Sequence, residues 1–522
     1  MRISLSSAVF AFALIAAQAP LRAAAKTKPH PNIVIIFADD LGYGDVSINN
    51  PDHGKIHTPN IDRLASQGMR FTDEHSGTAI CSPSRYTILT GRYAWRTRLQ
   101  QGIVGLWERP LIAPNRLTVA GMLKKAGYHT AAVGKWHLGW DWPITADQRP
   151  MFAHAKHPDV ADDAHRKVWR EVFSKPIAGG PTTRGFDTYF GTDVPNWPPF
   201  CFIENDRTVG IPTEYLPADQ FKDNLASQQG PALAGWDLKK ILPDLTDRAV
   251  QVIKESAAKD QPYFLYYALP SPHTPLAVRA DFQNKSGLHS AYADYVLETD
   301  AMVGKVLKAI EDSGEADNTL VVFTSDNGCA PYIGAKFLES EGHFPSGPFR
   351  GYKADVWDGG HREPFIARWP GVVKAGSTCA QLANHSDLMR TFANLVGVKL
   401  PDTAAEDSYD IMPLLRGSEK PVRETEISEA GRVGLLSIRK GPWKLVVGQG
   451  SGGWSKGGYE QPGQLFNLAD DIGEKNNLFE KKPEIVAELK NILKKQVEDG
   501  RSTPGKPQKN DVPVKWNLIK GQ

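Results

Sequence analysis

Four apolar segments of this chain share one design. Asn32–Phe37 (NIVIIF) runs into Ala38-Asp39-Asp40, and Thr130–Val133 runs into Gly134-Lys135-Trp136-His137. Tyr263–Leu269 (YFLYYAL) runs into Ser271-Pro272-His273, and Leu320–Thr324 into Asp326-Asn327-Gly328. Short β-branched or aromatic runs without apolar–polar alternation mark strands buried on both faces, as in a parallel sheet covered by helices. Segments with helical periodicity lie between them. Residues 59–69 begin at Pro59 behind Thr58 as N-cap and bring Ile61, Leu64, Ala65 and Met69 to one face. Residues 118–126 end at Gly127, and 244–257 and 291–312 follow, the last with Gly314 just past its end. Alternating strand and helix predicts a doubly wound, mostly parallel α/β sheet. Ligands in such sheets sit outside the carboxyl ends of the strands. All four strands end in chemistry-capable residues, so their ends are predicted to converge on one site.

The rest of the chain reads differently. After a helix at 386–396 comes a connection at 400–424. Short strand-like runs follow at Glu426–Glu429, Leu435–Arg439 and Trp443–Val447, then a Gly-rich loop at 448–458 and a charged helix at 483–498. This predicts a catalytic domain over 26–424 and a C-terminal subdomain over 425–522, made of a small antiparallel sheet and a helix. At the other end, Arg2, the apolar run Ala8–Ala17 and the small residues around Ala19 and Ala25 read as a signal peptide over 1–25. It implies export, periplasmic or secreted; an uncleaved N-terminal anchor is the alternative. No later stretch reaches the roughly 18 apolar residues of a membrane span. Charge narrows the partners further. With 61 Lys and Arg against 59 Asp and Glu the net charge is +2, which gives no electrostatic reason to expect nucleic acid or an anionic membrane. The four cysteines, Cys81, Cys201, Cys329 and Cys379, form no CxxC pair and are too few for a disulfide scaffold.

The candidate chemistry sits at the strand ends. Asp39, Asp40, Asp326 and Asn327 offer three carboxylates and an amide oxygen, a donor set suited to Ca²⁺ rather than zinc. Taken singly, each pair also fits a turn or a helix cap. In Cys81-Ser82-Pro83-Ser84-Arg85, Ser82 reads as an N-cap and Pro83 as the first helical residue, with Tyr86–Thr90 continuing and Gly91 closing. Cys81 would then lie at a helix N-terminus, where backbone N–H groups favour anions, with Arg85 adding a positive charge. A lone cysteine is also compatible with a small buried hydrophobe.

Cys81-x-Pro83-x-Arg85 followed by Leu89-Thr90-Gly91-Arg92 resembles the signature of the formylglycine-dependent type I sulfatases. The resemblance spans residues 31–445. It also rests on PNIVIIFADDLGYGD (31–45), TPNIDRLASQGMRFT (58–72), GKWHLG (134–139), SPHTP (271–275), SDNG (325–328) and GYKADVWDGGHREP (351–364). It implies the alkaline-phosphatase-like sulfatase fold and oxidation of Cys81 to formylglycine by a formylglycine-generating or sulfatase-maturating enzyme. It further implies a Ca²⁺ ion on Asp39, Asp40, Asp326, Asn327 and an oxygen of modified residue 81. By the same resemblance Arg85, Lys135 and Lys353 surround the sulfate and the formylglycine oxygens, Lys135, His273 and Lys353 bind substrate, His137 lies beside the formylglycine hydroxyls, and His273 lies beside the leaving oxygen. A formylglycine hydroxyl would attack sulfur, His273 would protonate the departing alkoxide, and His137 would help expel sulfate. Asp358 departs from the Glu often found before the Gly pair, and no role is carried over to it.

The implied substrate is a sulfated small molecule or glycan. Residues 140–184 and 193–224 carry Trp140, Trp142, His154, His157, Trp169, Trp197, Phe200, Phe202, Glu204, Asn205 and Arg207, a mixture that suits a sugar or, equally, ordinary ordered loops. Similarity of 343–364 to galactosamine-6-sulfatase-like members points to 6-sulfated galactose or N-acetylgalactosamine. Two other readings compete: a phosphate mono- or diester hydrolase of the same superfamily, and a catalytically silent glycan-binding homologue.

Overall fold

The structure is a computed structural model that describes residues 30–152, 161–217, 227–458 and 460–519; the signal-peptide segment lies outside them. The four segments singled out above form the centre of a ten-stranded sheet. They are β1 (Asn32–Asp39), β2 (His129–Lys135), β3 (Tyr263–Pro272) and β4 (Thr319–Ser325). All four are parallel, in the order β4-β1-β3-β2. Every residue of β1, β3 and β4 is buried, which is why these runs show no alternation. The period of two reappears in the packing. Ile33, Ile35 and Phe37 face one apolar layer, and Val34, Ile36 and Ala38 face the other.

Helices cover both faces. One layer holds Leu89 of Cys81–Thr90, Leu123 of Val119–Lys125 and Phe392 of Asp387–Leu395. The other holds Leu64 of Pro59–Ser66, Leu245 of Ile241–Ala257 and Val303 of Ala291–Asp312. The helix expected at 59–69 ends earlier, at Ser66, and Met69 instead begins the strand Met69–Phe71. That strand, with Phe365–Arg368 and Ser377–Cys379, extends the sheet beyond β4 and makes it mixed, since Phe365–Arg368 pairs antiparallel with both β4 and Met69–Phe71. Thr188–Thr192 extends the other side, parallel to β2. Among the described residues no helix is long and apolar enough to cross a membrane.

The C-terminal sheet has four antiparallel strands, Thr425–Glu429, Leu436–Lys440, Trp443–Val446 and Gln464–Asn467. The last of them went unread in the sequence. Helix Pro483–Glu498 packs Leu489, Leu493 and Val497 on Ile427, Ile438 and Leu465, in one cluster with Tyr93 and Trp95 from just after the Cys81 helix. Charge joins the two sheets as well. The buried Lys444 ammonium lies 2.6 Å from Asp358 and 2.8 Å from Glu474, and the Asp358 backbone N–H donates to Glu474 at 2.7 Å. Arg362 closes on Asp358 at 3.1 Å and on Asp73 at 3.3 Å, while Arg439 reaches Asp73 at 2.5 Å. Asp358, to which the family pattern lent no role, is thus a joint between the two sheets.

Removing one partner of a buried ion pair strands the other charge and costs about 3–5 kcal/mol. Lys444→Met should therefore lower unfolding stability by about that much in urea denaturation, and a loss under about 1 kcal/mol would show that the network does not hold the small sheet.

Candidate active site

The carboxyl ends of the four strands meet. Register sets Ala38 of β1 beside Ser325 of β4, so Asp39-Asp40 and Asp326-Asn327 emerge together. The pairing of Asp39 with Pro272 brings His273 alongside. β2 delivers Lys135 through Gly134, which has φ 118°; a Cβ there would lie 1.8 Å from the Ala268 carbonyl oxygen of β3. Only glycine lets the two strands run this close just before the lysine.

Cys81 is the first residue of helix Cys81–Thr90, and its N-cap is Ile80, in extended conformation with no side-chain cap. Ser82 was expected to cap this helix. Instead its Oγ accepts a hydrogen bond from the Val104 N–H at 3.1 Å, and Pro83 falls at the third helical position. Cys81 still stands at the helix start, with Arg85 one turn later on the same face. Gly91 ends the helix in the left-handed conformation.

The predicted residues form one buried cluster. Cys81 Sγ lies 3.8 Å from Asp39 Oδ1. Arg85 donates to Asp326 at 2.7 Å and to the Lys135 carbonyl at 3.2 Å, and lies 3.4 Å from Asp39. Lys135 donates to Asp39 at 2.6 Å. Lys353 donates to both Asp40 oxygens, at 2.6 and 2.8 Å. The Asn327 amide and the Asp40 backbone N–H link the two acidic pairs, donating to Asp40 at 2.8 Å and to Asp326 at 3.1 Å respectively. His273 Nε2 stands 3.6 Å from Asp40, and its Nδ1 faces the Thr274 carbonyl at 2.6 Å. His137 Nε2 faces the Val104 carbonyl at 3.2 Å, while its buried Nδ1 has no hydrogen-bond partner.

Electrostatics follow from this crowding. Burial alone would push the Asp39 carboxyl up, but Lys135, His273, Arg85 and Lys353 together hold it well below the usual range. Burial and then the Asp39 carboxylate push Asp326 up to about 7. Lys353 is held well above its ordinary value, the Asp40 carboxylate outweighing burial. Burial, reinforced by Lys135 and Arg85, drives His137 well below 6.5. His137 is therefore a neutral imidazole at pH 7. Because a carbonyl only accepts, its proton sits on Nε2 and its lone pair on Nδ1.

Asp39 and Asp40 supply oxygens suited to a hard cation, whereas Asp326 stands outside the tight group they join, its oxygens accepting from Arg85 and the Asp40 N–H. Oxygens of Asp39 and Asp40, Cys81 Sγ and a His273 nitrogen all fall within 4.8 Å of one another. The buried Asn327 Oδ1 has no hydrogen-bond partner in the protein, so it is free to coordinate. A second group of potential ligands, His75, Asp358 and His361, differs. The Lys444 ammonium already sits 2.6 Å from Asp358 and 3.3 Å from His361, supplying the positive charge that a metal would bring.

Above the cluster lies a cavity of about 700 Å³. Cys81, His137, His273 and Lys353 line it, together with Ile80, Ile103, Val194, Asn196, Trp197, Gln228, Pro331, Tyr332 and Trp454. Arg85 and Lys135 lie beneath, almost wholly buried. Of the aromatic residues expected to meet a sugar, Trp197 does line the cavity, edge-on to His137 at 5.5 Å. Trp140, Trp169 and Phe200 are instead core residues, and Phe202 packs on Phe190. Glu204 pairs with Arg248, Asn205 bonds the Tyr189 backbone and Arg207 the Ser174 carbonyl. His154 and His157 lie outside the described residues. Tyr332, Gln228 and Trp454 were missed; Trp454 had a signal, an indole among the glycines of 448–458.

Residues 31–398 match the family model described as Sulfatase. The chain belongs to the sulfatase family. It is 32% identical to an N-acetylgalactosamine-6-O-sulfatase of Bacteroides thetaiotaomicron over 504 residues, covering 89% of this chain and 92% of that protein. It is 31% identical to human arylsulfatase A, covering 90% and 88% respectively. A solved structure from work on the metabolism of multiple glycosaminoglycans by Bacteroides thetaiotaomicron superposes with a TM-score of 0.74 at 29% identity, covering 89% of this chain and 99% of that one. In a sulfatase the reacting group is a sulfuric ester, and three buried cations around one strand-end cluster match the charge that such an ester carries and develops.

Proposed function

We propose that this sulfatase hydrolyses sulfate monoesters of carbohydrate through a formylglycine made from Cys81. The observation that carries the reading is the meeting of Cys81, three buried cations and a hard-cation donor set on the floor of a cavity large enough for a sugar. The relative named as an N-acetylgalactosamine-6-O-sulfatase supports a 6-sulfated N-acetylgalactosamine as substrate, and 6-sulfated galactose is the second candidate. The basic, apolar and small-residue start of the chain supports export, and oxidation of Cys81 calls for a formylglycine-generating or sulfatase-maturating partner.

Hydrated formylglycine would supply one hydroxyl as nucleophile and a second whose deprotonation re-forms the aldehyde and breaks the carbon–oxygen bond to the sulfated oxygen, so that sulfate would leave with the first oxygen and water would serve only to rehydrate the aldehyde. Asp39, Asp40, Asp326 and Asn327 Oδ1 would hold Ca²⁺, which would add positive charge beside the sulfate oxygens. The protein's own groups do the rest. Arg85, Lys135 and Lys353 neutralise non-bridging oxygens without moving, because their carboxylate partners already hold them in place. His273 donates through its Nδ1–H to the Thr274 carbonyl, which turns Nε2 toward the departing sugar oxygen; it protonates that oxygen as the imidazolium, from a second N–H on Nε2. The Nδ1 lone pair of His137 accepts the proton released at residue 81 as sulfate departs.

Peptide mass spectrometry should find residue 81 as formylglycine when the chain is made beside a maturating enzyme. Cys81→Ala should fold as wild type by thermal melting and lose essentially all sulfatase activity; undiminished hydrolysis of an aryl sulfate by this variant would end the proposal. Chelation should abolish turnover and added Ca²⁺ restore it, whereas full activity in a verified metal-free preparation would remove Ca²⁺ from the mechanism. A general acid contributes roughly 10²–10⁴-fold, most where the leaving group is poor. His273→Ala should therefore slow a sugar sulfate far more than nitrophenyl sulfate, and equal losses on both would show that another group is the acid.

A further inference from the structure

The Gly-rich loop of the C-terminal sheet reaches the cavity and brings Trp454 into its wall. Trp454 is 38% exposed, one of the few large apolar residues among those described to be so. It stands edge-on to Tyr332 at 5.8 Å, and Tyr332 and His273 line the same cavity. Trp454 thus borders the place where a leaving group would lie.

The loop is fastened rather than draped. One oxygen of the buried Asp355 accepts from the Trp454 and Ser455 backbone N–H groups, at 3.0 and 3.1 Å. The other accepts from the Ser455 hydroxyl and from the Tyr352 N–H. The Val356 N–H donates to the Ser451 carbonyl at 2.8 Å. A Cβ on Gly453 would come 2.4 Å from the Ala354 carbonyl, so glycine is needed for the loop to lie this close. Asp355 is two residues from Lys353; one short segment therefore sets both a sulfate-handling cation and an aromatic surface.

A half-exposed indole held rigid at a cavity edge offers a flat apolar face at little entropic cost. A pyranose ring of galactose configuration presents a patch of C–H groups that matches such a face. Resting on the function proposed above, we infer that Trp454 is the stacking platform for the sugar ring of the substrate, with Asp355 as its positioning residue.

Steady-state kinetics on an oligosaccharide ending in 6-sulfated galactose or N-acetylgalactosamine test this. Trp454→Ala should lower kcat/KM at least tenfold, mainly through KM, while the inhibition constant of inorganic sulfate stays within about twofold, a tenfold change corresponding to about 1.4 kcal/mol. Trp454→Phe should recover most of the loss, and Asp355→Asn should raise KM in the same direction without a matching fall in kcat. Unchanged kinetics for Trp454→Ala, or parallel losses of kcat and sulfate affinity, would overturn the inference. A wild-type enzyme that turns over no sulfate ester would count against the proposed function instead. Calorimetric binding of the unsulfated oligosaccharide would then still decide the role of Trp454, since wild type should bind it and Trp454→Ala should not.

Discussion

Three carboxylates and three cations share the buried carboxyl edge of the central sheet, and the rest of the molecule is arranged around that fact. Asp39, Asp40 and Asp326 meet Lys135, Lys353 and Arg85 at distances of 2.6–3.4 Å. Taking such charges out of water is costly unless geometry and hydrogen bonds are close to ideal. The parallel strands supply that geometry, because their register fixes where each side chain leaves the sheet. A preorganised charge cluster is poor at stabilising a fold and well suited to stabilising a reacting anion, which accords with a family whose substrates are sulfuric esters.

The same logic extends outward through ion pairs rather than oil. Lys444, Asp358 and Glu474 tie the small sheet to the segment that carries Lys353, and Asp355 on that segment ties down the loop bearing Trp454. The C-terminal sheet is therefore more than a lid on the apolar layer beneath Tyr93 and Trp95. Through residues 351–364 it is mechanically continuous with the cation cluster and with one wall of the cavity.

Much of this was legible in the chain. The four central strands could be read because burial on both faces leaves unbroken apolar runs, and helix 291–312 because Val296, Met302, Val303, Val306, Leu307 and Ile310 recur at helical spacing. Met69–Phe71, Phe365–Arg368 and Ser377–Cys379 could not, since three or four residues are too few to show a period. Ser82 reads as a cap by local propensity, but its hydroxyl is taken by Val104, 22 residues away. Tertiary demand overrode local preference there.

The sequence by itself determined the doubly wound sheet, the polar strand ends, the cysteine at a helix start and, by the motifs together, the sulfatase family. Those properties depend on short-range patterns: burial periodicity, strand-end residues and compact motifs. Tertiary structure alone decided which groups touch. Arg85 meets Asp326 across 241 positions, Lys353 meets Asp40 across 313, and Trp454 is held by Asp355 across 99. Contacts at such separations come from sheet register and loop closure, which no local pattern encodes. The lining of the cavity, and with it the choice of substrate, belongs to the folded chain.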